Sequence, residues 1–147
     1  MSSAWEKIKP LTPGQEDMYQ ALMSKQYEVL GFFGPTGTGK SLFSLAYGIQ
    51  SVINGDYSRF IIIKPVVDVV TGEEITITKS PEAFTETVKS YVQDVIGEFI
   101  SWAKIEELMK EGKIVFADSR YLRGRTFDNS IVFLDDIPVS YTHLTLP

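Results

Sequence analysis

One segment decides the expected fold, Gly34-Pro35-Thr36-Gly37-Thr38-Gly39-Lys40-Ser41, which satisfies the pattern G-x-x-x-x-G-K-[ST]. Glycines allow backbone N–H groups to turn inward around a polyphosphate. A helix that begins directly after such a loop directs the positive end of its dipole at the anion. The pattern assigns Lys40 to the β- and γ-phosphates and the Ser41 hydroxyl to Mg²⁺. The segment therefore predicts a phosphate-binding loop; the simpler alternative is a Gly-rich turn without a ligand.

Short apolar runs alternate with helical periodicity on both sides of this loop. Apolar spacing predicts helices over residues 15–26, 41–53 and 105–110, and Ser80-Pro81-Glu82 begins another whose apolar stripe reaches Ile100. Apolar runs predict four strands, Glu28–Phe33, Phe60–Ile63, Lys113–Ala117 and Ser130–Leu134. Residues 66–79 are expected to form a loop or short hairpin, and residues 120–128 a basic loop. This alternation predicts an α/β fold with a small, mainly parallel sheet.

Composition narrows the class of protein. The chain has 147 residues, 44% of them hydrophobic and 22% charged, which fits one globular domain. It has no Cys, which excludes disulfides and Cys-ligated zinc, and its single His, His143, is interpreted as non-functional. The sequence shows no signal peptide and no apolar run long enough to span a membrane, so a soluble cytoplasmic protein is expected. Because the net charge is −5, contact with nucleic acid would need a local basic patch.

Two carboxylates follow the last predicted strand. Asp135 and Asp136 come directly after the apolar run that ends at Leu134. At the end of a buried strand, Asp135 would lie near the phosphate loop and could hold Mg²⁺ through water. Asp136 could then orient or deprotonate an attacking water. The alternative is that both residues merely begin a turn.

Two further polar residues, Lys64 and Gln15, are candidates for ligand binding. Lys64 follows a buried strand at the edge where α/β sheets bind ligands, or it is only a solubilising charge. Gln15 lies ahead of the loop, and its amide could pair with an adenine edge, although a glutamine at a helix start is usually neutral.

Three arginines and three aromatic residues complete the candidates. Arg120, Arg123 and Arg125 form either an anion-facing loop or a solvated one. The aromatic residues are interpreted as core or helix-packing positions rather than platforms for base stacking; they are Tyr91, Phe99 and Trp102.

Several blocks together resemble the PhoH-like family of RecA-type ATPases, which is similar to the ATPase core of superfamily 1 helicases. The blocks are Gln15 with the GPTGTGKS loop, residues 61–68 (IIIKPVVD), 105–112 (IEELMKEG), 121–127 (YLRGRTF) and 131–136 (IVFLDD). The likeness spans residues 15–137. It implies a three-layer, RecA-like P-loop NTPase fold, incomplete at the C-terminus.

The resemblance also implies an activity. It implies ATP and Mg²⁺ as cofactors, ATP hydrolysis coupled to RNA, and a homo-oligomeric ring. Gln15 and residues 34–41 would bind the nucleotide. Lys40 and Asp136 would be catalytic, and Ser41 and Asp135 would hold Mg²⁺. Phosphate or RNA would contact Lys64, Arg123 and Arg125.

Three departures from the family pattern affect this expectation. Lys64 stands where the family has Arg, which replaces a bidentate contact by a point charge. Asp136 stands where the family has Glu. Residues 138–147 depart entirely and look like translated adaptor or read-through sequence. We therefore expect an N-terminal segment (1–14), a partial ATP-binding domain (15–137) and a foreign or disordered tail.

The sequence is also compatible with two other functions. If the domain is truncated, the chain would bind ATP far better than it hydrolyses it, and it could be a nucleotide-binding fragment without turnover. A small-molecule P-loop kinase would use the three arginines as lid residues. Phosphate that appears on an acceptor rather than in solution would indicate the kinase.

Overall fold

The computed structural model describes residues 4–33, 39–65, 68 and 70–135. Its helices are α1 (Ala4–Lys7), α2 (Pro13–Ser24), α3 (Lys40–Ile53), α4 (Pro81–Ile96), α5 (Trp102–Lys110) and a short 3-10 helix (Ser119–Leu122). Its strands are β1 (Arg59–Ile63), β2 (Ile114–Ala117) and β3 (Ser130–Leu134).

The strands form one parallel sheet in the order β2-β1-β3. Ile63 is the partner of Ala117 on one side and of Leu134 on the other. Parallel pairing places the carboxyl ends of all three strands at one edge of the sheet. Lys64, Asp118 and Asp135 each follow directly after a strand at this edge. The α/β fold with a small parallel sheet is therefore confirmed.

The core lies mainly between the sheet and the helices. Alternate residues of a strand point to opposite faces. Along β1, Phe60 and Ile62 belong to the main core with the helices, whereas Ile61 and Ile63 belong to a smaller cluster. The segment after β2 covers that smaller cluster. β1 is therefore buried on both faces, as the apolar run Phe60–Ile63 predicts.

Helix α3 lies directly against β1. A Cβ atom at Gly48 would collide with the ring of Phe60, so only glycine allows the helix to approach so closely. Phe60 is itself fully buried. This contact fixes α3, and with it the start of the helix, relative to the sheet.

The predicted strand over Glu28–Phe33 is wrong. The segment is irregular, and Val29 is 75% exposed and Phe33 95% exposed. Apolar composition indicates burial but does not supply a strand edge to pair with, and Gly31 within the run weakens strand pairing. The described sheet consequently has three strands rather than the four predicted, with half-buried β3 at its edge.

Most helices are confirmed, with shifted ends. Helix α2 begins before Gln15, because Thr12 Oγ1 accepts a hydrogen bond from Gln15 N at 3.2 Å and caps the helix. It ends before Gln26, because Lys25 adopts a left-handed φ of 55°. Helix α4 begins at Pro81 as predicted but ends at Ile96.

Residues ahead of α2 contribute to the same core. Trp5 and Ile8 are buried in it, and Trp5 stacks on Tyr19 with ring centroids 4.9 Å apart. No helix within the described ranges combines the length and apolarity needed to cross a bilayer. The predictions for residues 138–147, including His143, fall outside the described residues.

Candidate functional site

Helix α3 begins where the predicted phosphate loop ends. Gly39 precedes it with φ of 91°, a left-handed conformation that glycine adopts without strain. The N–H groups in the first turn of a helix have no intrahelical acceptors, and within the described part of the chain no side chain caps α3. The remaining loop residues, 34–38, lie outside the described residues.

Ser41 and Asp135 meet at this end of α3, although 94 positions separate them. Ser41 Oγ donates a hydrogen bond to Asp135 Oδ2 at 3.0 Å. The backbone of Asp135 is fixed by the sheet, because its N–H donates to the Ile63 carbonyl at 3.1 Å. The structure thus brings the two predicted Mg²⁺ ligands together, whereas Asp136 lies outside the described residues.

Two further side chains converge on the same carboxylate oxygen. Lys64 Nζ lies 3.7 Å from Asp135 Oδ2, and the Tyr91 hydroxyl donates a hydrogen bond to that oxygen. The ammonium of Lys64 also lies over the Tyr91 ring, 4.4 Å from its centroid. The side chains of Lys64 and Asp135 are only 17% and 12% exposed, so this cluster is largely shielded from water.

Sequence reasoning missed the role of Tyr91. The residue does pack against the main core, as expected, but its hydroxyl reaches Asp135. Helix α4 buries Phe84, Val88, Val92 and Ile96 at a spacing of four residues. Tyr91 lies beside this apolar stripe, and nothing in its spacing indicates a partner 44 positions away.

The donor set fits a magnesium ion that arrives with a nucleotide. Hydroxyl and carboxylate oxygens are the ligands that Mg²⁺ prefers, and it usually takes only one or two carboxylates together with phosphate and water. Across residues 4–33, 39–65, 68 and 70–135, no group of three or more His, Cys, Asp or Glu side chains could hold a metal.

Gln15 lies beside the end of the loop. A Cβ atom at Gly39 would lie 3.2 Å from Gln15 Nε2. Gln15 Oε1 accepts a hydrogen bond from Leu11 N at 2.7 Å, which fixes the amide. The structure places Gln15 next to the start of α3; its contact with an adenine stays a prediction.

Arg120 is exposed, as the solvated alternative predicts, and its guanidinium also forms hydrogen bonds within the protein. Its Nη2 donates to Thr78 Oγ1 at 2.9 Å and to Asp118 Oδ2 at 3.1 Å, and its Nε donates to Asp118 Oδ1 at 3.2 Å. Arg120 therefore ties the 3-10 helix to the loop before α4. The guanidinium of Arg125 lies 4.0 Å from the centroid of the Tyr121 ring, and Arg123 is exposed.

Phe99 and Trp102 are packing residues, as the sequence predicts. Both pack against the main core. The ring of Trp102 lies 6.3 Å from that of Phe116, and its Nε1 donates to Glu106 Oε1 at 2.7 Å. The Trp102 ring is therefore committed to packing and not to a nucleobase.

Asp118 is the acceptor at the centre of the Arg120 connection. The residue is 5% exposed and also accepts hydrogen bonds from Ile77 N at 3.2 Å and from Arg120 N at 3.0 Å. Burial raises the pKa of the Asp118 carboxyl. Hydrogen bonds from the Arg120 side chain and from both backbone N–H groups, together with the Arg120 charge, outweigh burial and hold the pKa below its ordinary value.

We expect Asp118→Asn to lower the free energy of unfolding at neutral pH by about 1–3 kcal/mol, because donors are left unsatisfied. The variant's free energy of unfolding should also depend less on pH in the acidic range. Since the carboxyl pKa is lower in the folded chain, its contribution is fully present above the ordinary carboxyl pKa of about 3.9 and is lost as the pH falls below that value. Urea unfolding across this range measures both effects. Asp94→Asn, at an exposed position of α4, is the control, and equal acid dependence of Asp118→Asn and the unmodified chain would contradict the prediction.

Helix α3 starts at the end of the G-x-x-x-x-G-K-S segment, and its serine is bonded to a carboxylate at the end of a parallel strand. This arrangement is typical of nucleotide-binding P-loop proteins. The family model for PhoH-like proteins matches residues 7–138. The chain therefore belongs to the PhoH-like family, as the sequence resemblance predicts.

Individual relatives agree with this assignment. The chain is 32% identical to a PhoH-like protein of Synechocystis sp. over 134 residues, which cover 89% of this chain and 39% of that protein. It is 31% identical to a PhoH-like protein of Bacillus subtilis over 134 residues, 89% of this chain and 40% of the relative. It is 30% identical to Protein PhoH of Escherichia coli over 122 residues, 80% of this chain and 33% of the relative. The matches thus span 33% to 40% of the length of these relatives.

Proposed function

We propose that this chain carries an Mg²⁺–ATP site within residues 15–137, and that the whole protein hydrolyses ATP in a reaction coupled to RNA. The observation that carries the proposal is the 3.0 Å hydrogen bond from Ser41 Oγ to Asp135 Oδ2. It joins the start of α3 to the carboxyl end of β3. In open α/β sheets, ligands bind outside the carboxyl ends of the strands, which is where this contact lies.

The phosphates would bind at the start of α3. Backbone N–H groups and the helix dipole favour an anion there, and Lys40, the first residue of the helix, adds a positive charge. Gly39 allows the backbone to turn into the helix at this point. In the proposal, residues 34–38 complete the phosphate cradle.

Magnesium would be held by Ser41 directly and by Asp135 through water. When bound, Mg²⁺ neutralises charge on the β- and γ-phosphates. Asp136, the next residue in the sequence, would orient or deprotonate the attacking water. Lys64 would add positive charge beside the phosphates, because its ammonium lies 3.7 Å from Asp135 Oδ2.

The RNA part of the proposal has separate support. The family resembles the core of superfamily 1 helicases, and Arg123 and Arg125 are exposed. On a chain with a net charge of −5, these arginines form a local basic segment of the kind that phosphate contact requires.

Calorimetric titration of the full chain with ATP, with and without Mg²⁺, tests the site, and phosphate release with and without RNA tests turnover. We expect Mg²⁺-dependent binding, whose absence would overturn the proposal. Phosphate released into solution, and faster with RNA, would support coupled hydrolysis. Phosphate found on an acceptor would instead indicate a kinase, and binding without release would overturn hydrolysis by this chain while leaving the binding site in place.

We expect Gln15→Ala to weaken ATP binding about tenfold more than GTP binding, since a bidentate amide–adenine pair is worth about 1–3 kcal/mol of discrimination. The measurement is the ratio of the ATP and GTP dissociation constants. Gln20→Ala is the matched control on the same helix, because Gln20 Nε2 donates to Glu16 Oε1 at 2.9 Å on the exposed surface. An unchanged ratio in Gln15→Ala would remove the adenine contact from the proposal.

A further inference from the structure

Asp135 receives a polar contact from a helix that belongs neither to the phosphate loop nor to the sheet. The Tyr91 hydroxyl on α4 donates to Asp135 Oδ2, the oxygen that Ser41 Oγ also contacts. We propose that Tyr91 is a positioning residue for the Mg²⁺ site, which orients the Asp135 carboxylate and holds the Lys64 ammonium beside it. This inference rests on the proposed function, in which Asp135 serves Mg²⁺.

The position of Tyr91 is itself fixed by packing. Helix α4 is anchored in the main core by Phe84, Val88, Val92 and Ile96. Tyr91 precedes Val92, and its half-buried ring packs against the same core. A tyrosine loses little conformational entropy when it is ordered, because it has only two side-chain torsions. Its hydroxyl can therefore serve as a fixed donor.

The carboxylate needs such a donor. The backbone of Asp135 is held by its hydrogen bond to Ile63, but this bond does not restrain the side chain. Because Ser41, Tyr91 and Lys64 all approach Oδ2, they restrain rotation of the carboxylate. Groups that orient a metal ligand through hydrogen bonds change metal affinity by about 10–100-fold when they are removed.

The ring of Tyr91 has a second effect. The Lys64 ammonium lies 4.4 Å from the ring centroid, within the range of a cation–π contact. It is 3.7 Å from Oδ2, beyond direct hydrogen-bonding distance. The ring thus holds the ammonium beside the carboxylate. The hydroxyl groups of Ser41 and Tyr91 form the hydrogen bonds to Oδ2. A residue that served packing alone would show neither contact.

The test compares Tyr91→Phe with Tyr57→Phe in the full chain. Tyr57 packs against the same core but lies just before β1, at the opposite edge of the sheet, so it controls for the loss of a tyrosine hydroxyl. The readout is the Mg²⁺ concentration that half-saturates ATP binding, beside the ATP affinity without Mg²⁺. We expect Tyr91→Phe to raise that concentration about tenfold, the lower end of the range for such groups, and to leave metal-free affinity unchanged. Tyr57→Phe should change neither.

A second measurement requires no ligand. In the metal-free chain, Tyr91→Phe should lower the urea midpoint, and it should lower it much less in an Asp135→Ala background, because the acceptor of the Tyr91 hydroxyl has been removed. An unchanged Mg²⁺ midpoint, or equal urea shifts in both backgrounds, would overturn the inference while the proposed function stands. If the unmodified chain shows no Mg²⁺-dependent ATP binding, the proposed function and this inference both fall.

Discussion

Replacing Lys40 with alanine is expected to weaken Mg²⁺–ATP binding by at least about 100-fold, which corresponds to about 2.8 kcal/mol. The lysine is the first residue of α3, at the positive end of the helix dipole, where the proposed phosphates bind. Its ammonium supplies charge-assisted hydrogen bonds to phosphate oxygens that alanine cannot replace. Calorimetric titration with Mg²⁺–ATP measures the effect directly.

The fold should tolerate this change. Lys40 is half-buried at the N-terminus of the helix, and its backbone carbonyl, which accepts from Ser44 Oγ at 2.8 Å, is unaffected by the substitution. The free energy of unfolding should therefore stay within about 0.5 kcal/mol of the unmodified value. Lys104→Ala is the control, because Lys104 forms an exposed pair with Glu107 on α5 and should leave ATP affinity unchanged. Equal ATP affinity of Lys40→Ala and the unmodified chain would contradict the phosphate-loop assignment.

Much of the site's framework could be predicted from the sequence, because local patterns determine it. The buried strand 60–63 and the run 130–134 are purely apolar over most of their length, and the polar residues that follow them mark the strand ends. Since parallel strands place their carboxyl ends at one edge, the sequence predicts Asp135 near the phosphate loop and Lys64 at the edge where such sheets bind ligands. In the structure, Asp135 Oδ2 lies 3.0 Å from Ser41 Oγ at the start of α3 and 3.7 Å from Lys64 Nζ.

The contacts that the sequence did not predict all depend on long-range packing. Tyr91 reaches Asp135, 44 positions away, because α4 packs in the main core, and no local pattern encodes this contact. Arg120 donates to Thr78, which lies 42 positions earlier in the sequence. The segment 28–33 has the composition of a strand but lacks pairing, since composition indicates burial and not register.

Replacing Asp135 with alanine is expected to lower the free energy of unfolding by about 2–3 kcal/mol in the absence of any ligand, because buried donors lose their acceptor. The Lys64 ammonium would lose the carboxylate that lies 3.7 Å away, in a site where the lysine side chain is only 17% exposed. The hydroxyl groups of Ser41 and Tyr91 would also lose a partner. Asp135→Asn should cost less, because the amide oxygen can still accept from a hydroxyl.

Whether Asp135→Ala lowers or raises the free energy of unfolding distinguishes this site from one in which carboxylates repel one another. Carboxylates grouped for metal binding repel one another, so removal of one can stabilise the metal-free chain. Asp135 is instead surrounded by an ammonium and two hydroxyl donors, so its removal should destabilise the chain. Asp56→Ala is the control, because the pair of Asp56 with Lys25 spans 3.9 Å between half-exposed side chains and should contribute only about 0–1 kcal/mol. Urea unfolding of the metal-free chain measures all three variants. An Asp135→Ala chain as stable as the unmodified one would show that the ammonium and the two hydroxyl groups do not converge on this carboxylate in solution.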